Sequence, residues 1–116
     1  MIWKNGQIYE GEWSNNLKEG KGIQTALDGE KYEGNFKNSK FEGKGVLYSK
    51  NGDRYEGDFK NNNRHGSGIQ YYIRGGKNGK SMGDFLDDKP IGKHVILQPD
   101  GSVCICDNSK MIRIFN

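Results

Sequence analysis

Four side chains of this 116-residue chain could ligate a soft metal: His65, His94, Cys104 and Cys106, its only histidines and cysteines. Zinc is held by about four such groups at short paired spacings, Cys-x-x-Cys above all. No such pair occurs here, and a cluster would need ligands from distant segments, so no metal site is expected. Cys104 and Cys106 lie two apart, so on a strand they share a face where a disulfide is hard to close. Two free thiols fit a reducing compartment. Glu10 with Glu12, and Glu56 with Asp58, have the spacing of an acid-base pair. They recur without a pocket around them, and cross-strand pairing with lysines such as Lys21 accounts for them better. Gly75-Gly76-Lys77-Asn78-Gly79-Lys80-Ser81 has the look of a phosphate loop. However, Arg74 stands where its first glycine is needed, and no helix follows to supply backbone donors. The sequence therefore offers no catalytic residue and no cofactor, and the chain is not expected to be an enzyme.

Charge is nearly balanced, 18 basic side chains against 15 acidic, and mostly interleaved. The exception runs from Lys60 to Gly83, with Lys60, Arg64, Arg74, Lys77 and Lys80 and no acid. With Tyr71, Tyr72 and Ile73 beside them, these five could meet an anionic phospholipid surface, phosphoinositides included. At ~1 kcal/mol for each cation near a lipid surface they would tether weakly and need a second signal. The competing reading, an ordinary solvated segment, is preferred, and nucleic acid is not an expected partner. No apolar run approaches the roughly 18 residues of a membrane span, and Met1 to Asn5 leads into polar sequence rather than a signal core. A cytoplasmic protein is expected, with association to cytoskeleton or membrane as a further expectation.

All these residues sit on a repeat. Tyr9-Glu10-Gly11-Glu12-Trp13 returns as Tyr32-Glu33-Gly34-Asn35-Phe36 and Tyr55-Glu56-Gly57-Asp58-Phe59, then weakly as Ser81-Met82-Gly83-Asp84-Phe85. The 18 glycines punctuate the repeat. Hydrophobic content of only 32% would suit disorder, but a stack of small units can fold by burying each against its neighbours.

Each unit reads as an aromatic strand, a polar loop (Lys37 to Glu42), a glycine-led strand (Gly43 to Tyr48) and a tight turn. Asn5-Gly6, Asp28-Gly29, Asn51-Gly52 and Asp100-Gly101 are dipeptides that type I′ hairpin turns favour. A two-residue turn at Asp28-Gly29 places Thr25 opposite Tyr32, Ile23 opposite Gly34 and Lys21 opposite Phe36. The same rule sets Tyr48 opposite Tyr55 and Val46 opposite Gly57. Ile23, Thr25, Tyr32, Gly34 and Phe36 then share an aromatic face, and Gln24, Glu33 and Asn35 a polar one. Gly11, Gly34, Gly57 and Gly83 are structural under either of two readings: room for a ring lying over the backbone, or a bend or bulge.

Tyr-Glu-Gly-acid-Trp/Phe, a polar loop, Gly-x-Gly and a turn glycine resemble the MORN (membrane occupation and recognition nexus) repeat, closely over 9–76 and loosely over 77–101. The resemblance implies an all-β, elongated single-layer antiparallel β-meander of hairpin repeats, and scaffold, dimerisation, peptide-docking or phosphoinositide-membrane work, often in ciliary or cytoskeletal assemblies. As one domain, 1–116 divides into a partial repeat or N-terminal cap at 1–8, repeats at 9–31, 32–54 and 55–80, a divergent repeat at 81–103 and a C-terminal cap at 104–116. Asn5 to Tyr9 matches Asn51 to Tyr55, so the chain opens mid-repeat, as a piece of a longer array or with its first strand as a cap. Val103 to Cys106 and Met111 to Phe115 are expected to pair as a capping hairpin.

The expected partner surface is the aromatic face, Tyr9, Trp13, Tyr32, Phe36, Tyr55, Phe59 and Phe85, with most of its area in the core and its rims open to a peptide or helix, or to another copy of the chain. Anionic membrane binding through 60–80 is the alternative. A regulatory repeat region of a larger enzyme is a third.

Overall fold

The computed structural model describes residues 2–74, 77–107 and 110–115. Among these residues ten antiparallel strands follow one another in a single sheet, each paired with its sequence neighbours. They are β1 (Ile8–Ser14), β2 (Leu17–Thr25), β3 (Lys31–Lys37), β4 (Lys40–Tyr48), β5 (Arg54–Lys60), β6 (Asn63–Arg74), β7 (Lys77–Leu86), β8 (Lys89–Leu97), β9 (Val103–Asp107) and β10 (Lys110–Phe115). The sheet extends over 51 × 28 × 17 Å, an elongated ribbon. This is the expected meander, and β9 with β10 forms the expected final hairpin.

The turns fall differently from the sequence expectation. The type I′ turns, with both central residues at positive φ, are Asn15-Asn16, Asn38-Ser39, Asn61-Asn62 and Asp87-Asp88. What reads as a polar loop is thus a two-residue turn between long strands. Asp28-Gly29 instead belongs to a three-residue connection: Ala26 N–H donates to Glu30 O (2.8 Å), Gly29 N–H donates to Ala26 O (3.0 Å), and Gly29 has φ of 97°. Asp28 accepts the Glu30 N–H through its carboxylate rather than entering the left-handed region. Asn51 likewise accepts the Asp53 N–H through its side-chain amide oxygen.

One extra loop residue slides the register by one. Thr25 pairs with Lys31, Gln24 with Tyr32, Ile23 with Glu33, Gly22 with Gly34 and Gly20 with Phe36. Likewise Tyr48 pairs with Arg54, Leu47 with Tyr55, Val46 with Glu56 and Gly45 with Gly57. The expected pairings of Thr25 with Tyr32 and of Val46 with Gly57 are therefore corrected. Because side chains alternate, the slip carries Ile23, Thr25 and Val46 to the face opposite the rings and brings Gln24 onto the ring face.

Glycine now meets glycine across the strands. Each Tyr ring lies over this pair: a Cβ on Gly45 would sit 2.4 Å from the Tyr32 hydroxyl oxygen, and one on Gly34 only 2.5 Å from Gly45 Cα. Immediately after Gly11, Gly34 and Gly57 the register breaks by a bulge, so ring seating and bulging operate at the same place. Gly83 seats His94 rather than a tyrosine, and the β7/β8 bulge falls around it.

Successive units are also stapled through their turns. Ser39 N–H donates to Lys18 O (3.0 Å) while Ser39 Oγ accepts from Lys18 N–H (3.0 Å). Asn62 makes the same reciprocal pair with Phe41, and Asp88 with Arg64. The second turn residue must tolerate positive φ and carry a short side-chain acceptor, hence Ser, Asn or Asp.

Gly45→Ala should force the Tyr32 ring out of its seat and lower unfolding free energy by about 3 kcal/mol or more. Gly29→Ala meets open space and only the strain of its positive φ, about 1–2 kcal/mol. Denaturant titration of the two variants should keep that order; equal losses would remove the ring-seating account.

Candidate functional site

Two faces of the sheet are candidates, and the rings belong to the first. Tyr9, Tyr32 and Tyr55 are each 1% exposed, and Phe36, Phe59 and Phe85 are equally closed off. They run as a zigzag of edge-to-face contacts: Tyr9 to Phe36 (5.1 Å), Phe36 to Tyr32 (5.1 Å), Tyr32 to Phe59 (5.1 Å), Phe59 to Tyr55 (5.1 Å) and Tyr55 to Phe85 (5.2 Å). Each tyrosine bridges its own unit and the next. Its hydroxyl donates to the carbonyl three residues on: Tyr9 to Glu12 (2.7 Å), Tyr32 to Asn35 (2.7 Å) and Tyr55 to Asp58 (3.1 Å).

Three side chains roof this row. Phe41 stacks flat on Tyr32 at 3.8 Å. Lys18 lies over Trp3 (4.7 Å) and Tyr9 (5.3 Å) and donates to Gln24 Oε1. Arg64 lies over Phe85 (4.6 Å) and Tyr55 (5.8 Å), bonded to Gln70 and to Asp88. Burial lowers the Lys18 ammonium from its ordinary value. Burial first, then the neighbouring carboxylate Asp58, pushes Tyr55 up to about 12; Tyr32 and Tyr9 rise for the same leading reason.

The expected docking face is therefore mostly core. Of its seven residues only Trp13, 43% exposed at the start of the row, still presents a ring to solvent. The physical reason is the roof, which a pattern of aromatics alone does not reveal. Lys18, Phe41 and Arg64 do recur at the repeat's period, the one signal that could have found them.

On the opposite face lies an open groove of about 590 Å³. It is lined by the backbone of Gly22, Gly34, Gly45 and Gly57, by Glu10, Ile23, Glu33 and Val46, and by Lys21, Asn35 and Lys44. The row Glu10, Ile23, Glu33, Val46, Glu56, Ile69 alternates acid with aliphatic, and continues as Met82, Val95 and Ile105 without acids. The carboxylates are paired on the sheet: Asp58 with Lys44 (2.6 Å), Glu56 with Arg54 (3.1 Å) and Glu33 with Lys31 (3.9 Å). Glu12 accepts the Lys21 backbone N–H.

By register the five basic residues are spread along β5, β6 and β7. Lys60 pairs with Asn63 at one end of β6, whereas Arg74 pairs with Lys77 at the other. Arg64 is committed to Asp88 and to the Phe85 ring, on the ring face. Lys80 pairs with Tyr71. Gly75 and Gly76, at the start of the apparent phosphate loop, lie outside the described residues, and 77–81 are strand.

In the fourth unit Ser81 replaces the tyrosine, and His94 stands where Gly45 stands in the second. The ring has changed strands. His94, 3% exposed, sits over Gly83 and meets Phe85 edge-to-face at 5.1 Å. Its Nε2 lies 2.8 Å from Asp84 O, and its Nδ1 lies 3.1 Å from Ser81 Oγ. A carbonyl only accepts, so Nε2 carries the proton and Nδ1 accepts from the serine. His94 thus takes over the tyrosine's ring contact and its hydrogen bond. His65 is on β6, apart from it.

A single-layer sheet of hairpins locked by a periodic ring row is a repeat-array protein, each unit stabilised by its neighbours. The MORN repeat family model matches three times in succession, at 9–31, 32–54 and 55–80. The chain belongs to the MORN-repeat family. Repeats of this family often serve binding or membrane association and are generally non-catalytic. No curated protein matches the chain.

Ser81→Tyr alone should clash with His94, and His94→Gly alone should open a cavity. The double variant Ser81→Tyr/His94→Gly rebuilds an interior unit. A double-mutant cycle by denaturation should give a favourable coupling of about 2 kcal/mol or more; additive losses would contradict the exchange.

The tyrosines set an alkaline limit. Their protons are held more tightly folded than unfolded, so the stabilisation is complete below the unfolded value near 10 and is lost as pH rises through the folded value, about 12 for Tyr55. Denaturation midpoints should fall between pH 10 and 12, and a Tyr55→Phe variant should fall less.

Proposed function

We propose that this chain is a non-catalytic interaction module that docks a segment of a partner protein along the groove opposite its ring row. The carrying observation is the asymmetry of the sheet. The ring face is largely covered by Lys18, Phe41 and Arg64, leaving a smaller pocket of about 330 Å³ beside Tyr55, Gln70 and Tyr72, while the opposite face carries an open trough of about 590 Å³ along which Ile23 and Val46 are half-buried. Glu10, Glu33, Lys21 and Lys44 along the same trough supply charge of both signs for register. A rigid floor suits the task, because a sheet locked by its rings loses little conformational freedom on binding.

The seven ring residues support this reading from behind: six hold the strands at fixed spacing, and Trp13 alone offers contact area. Assembly with another copy, cytoskeletal or ciliary service and a cytoplasmic setting remain part of the proposal at the level of the family's habits.

A peptide library selected against the protein tests it. Selected peptides should bind in a manner little affected by salt and lose at least about tenfold in affinity on Val46→Glu or Ile23→Glu, with the variants' stability checked by denaturation. Unchanged binding to both variants would overturn the groove. In parallel, phosphoinositide vesicles should sediment little protein at physiological salt; salt-sensitive sedimentation abolished by Lys60→Ala with Lys80→Ala would instead favour the membrane reading.

A further inference from the structure

The last turn of the repeat pattern replaces Tyr-Glu-Gly by Cys104-Ile105-Cys106. By register, Cys104 stands in the cross-strand row of the tyrosines, beside Ile96 and Ser81, and Cys106 stands in the row of the seating glycines, beside His94. Where inner units lay a ring over a glycine, this strand places two sulfurs. Their Sγ atoms are 3.6 Å apart. Cys104 is 2% exposed and Cys106 is half-buried, so one sulfur lies beneath and one opens to solvent.

We propose that Cys104 and Cys106 form a chelating dithiolate site for a thiophilic, closed-shell metal ion of the zinc and cadmium class. Two sulfurs each ~2.3 Å from a zinc ion at a roughly tetrahedral angle stand about 3.8 Å apart, close to the 3.6 Å separation already present. A disulfide would need them at about 2.05 Å, with the strand puckered to match. Strand β9 is paired on both sides, Cys104 with Ile96 and Ile114, Cys106 with His94 and Met111, which resists that puckering. The pair is thus set for chelation rather than for bridging.

Binding of a divalent ion releases both protons and leaves the ion with two thiolates formally neutral, which the apolar surroundings tolerate. His94, the cross-strand partner of Cys106, does not ligate, both its ring nitrogens being engaged. Among the described residues no group of three or more His, Cys, Asp or Glu side chains is placed to hold an ion. The remaining coordination positions fall to water, a small thiol or a partner's side chain, as in sites that exchange their ion.

Titration of the reduced full chain with cadmium ion, followed by the ultraviolet thiolate-to-cadmium absorption, tests this. Saturation should protect both thiols of each chain from a thiol reagent and raise the melting temperature. Cys106→Ser, at the half-buried position, should keep the fold by circular dichroism yet weaken cadmium binding at least about tenfold, and Cys104→Ser should do likewise. Absence of the band at ion concentrations that saturate dithiothreitol would overturn the proposal. So would a band undiminished in folded Cys106→Ser.

Discussion

A tyrosine ring laid flat on bare backbone organises this molecule. Tyr32 covers Gly45 and touches Gly34, and its hydroxyl closes on the Asn35 carbonyl. Three demands follow from that placement. Glycine must meet glycine across the strands, the register must put it there, and the partner strand must bulge just beyond so that Phe41 comes to pair with Phe36. Removing any one of them would leave a ring without a seat.

Rings seated this way explain how one sheet can be stable without a second layer. Burial that a sandwich obtains from a facing sheet is obtained here within the sheet, sideways along the row, with Lys18, Phe41 and Arg64 closing it from above. Two of those three are cations spread over aromatic faces, so the cover is amphipathic: its stems are apolar, its heads meet Gln24, Gln70 and Asp88. A solvated outer surface and a dry inner one thereby belong to the same residues, and the opposite face of the sheet is released from any packing duty.

The period and the aromatic pattern were legible because Tyr-Glu-Gly marks each strand with one tyrosine, one seat and one bulge. The register was not, because Asp28-Gly29 serves a two-residue turn and a three-residue connection equally well by composition, and only the backbone hydrogen bonds around Ala26 and Glu30 distinguish them. That single residue decides which face Ile23 and Val46 occupy, and with it where the open trough lies. His94 was unreadable for a different reason: as a lone histidine it resembles a ligand or a surface residue, and its meaning appears only when Ser81 and Gly83 are seen around it. The basic stretch, read in the sequence as an ordinary solvated segment with a lipid patch as the alternative, is spread by strand geometry, Lys60 and Arg74 falling at opposite ends of β6.

The two margins of the ribbon obey different rules. Along one, dipeptide turns reach back to the preceding unit through paired backbone and side-chain bonds; along the other, the glycine-bearing connections are longer, and the one at 49–53 meets the next unit only where Asp53 accepts the Ile73 N–H among the described residues. The three-residue insertion between Phe59 and Phe85 enters at the second margin, where β6 and β7 simply run longer and the Tyr55 to Phe85 contact stays at 5.2 Å. That margin is a natural grafting site: loops of new length and chemistry can be carried there while the spine keeps its geometry, which lets arrays of one architecture diversify what they hold.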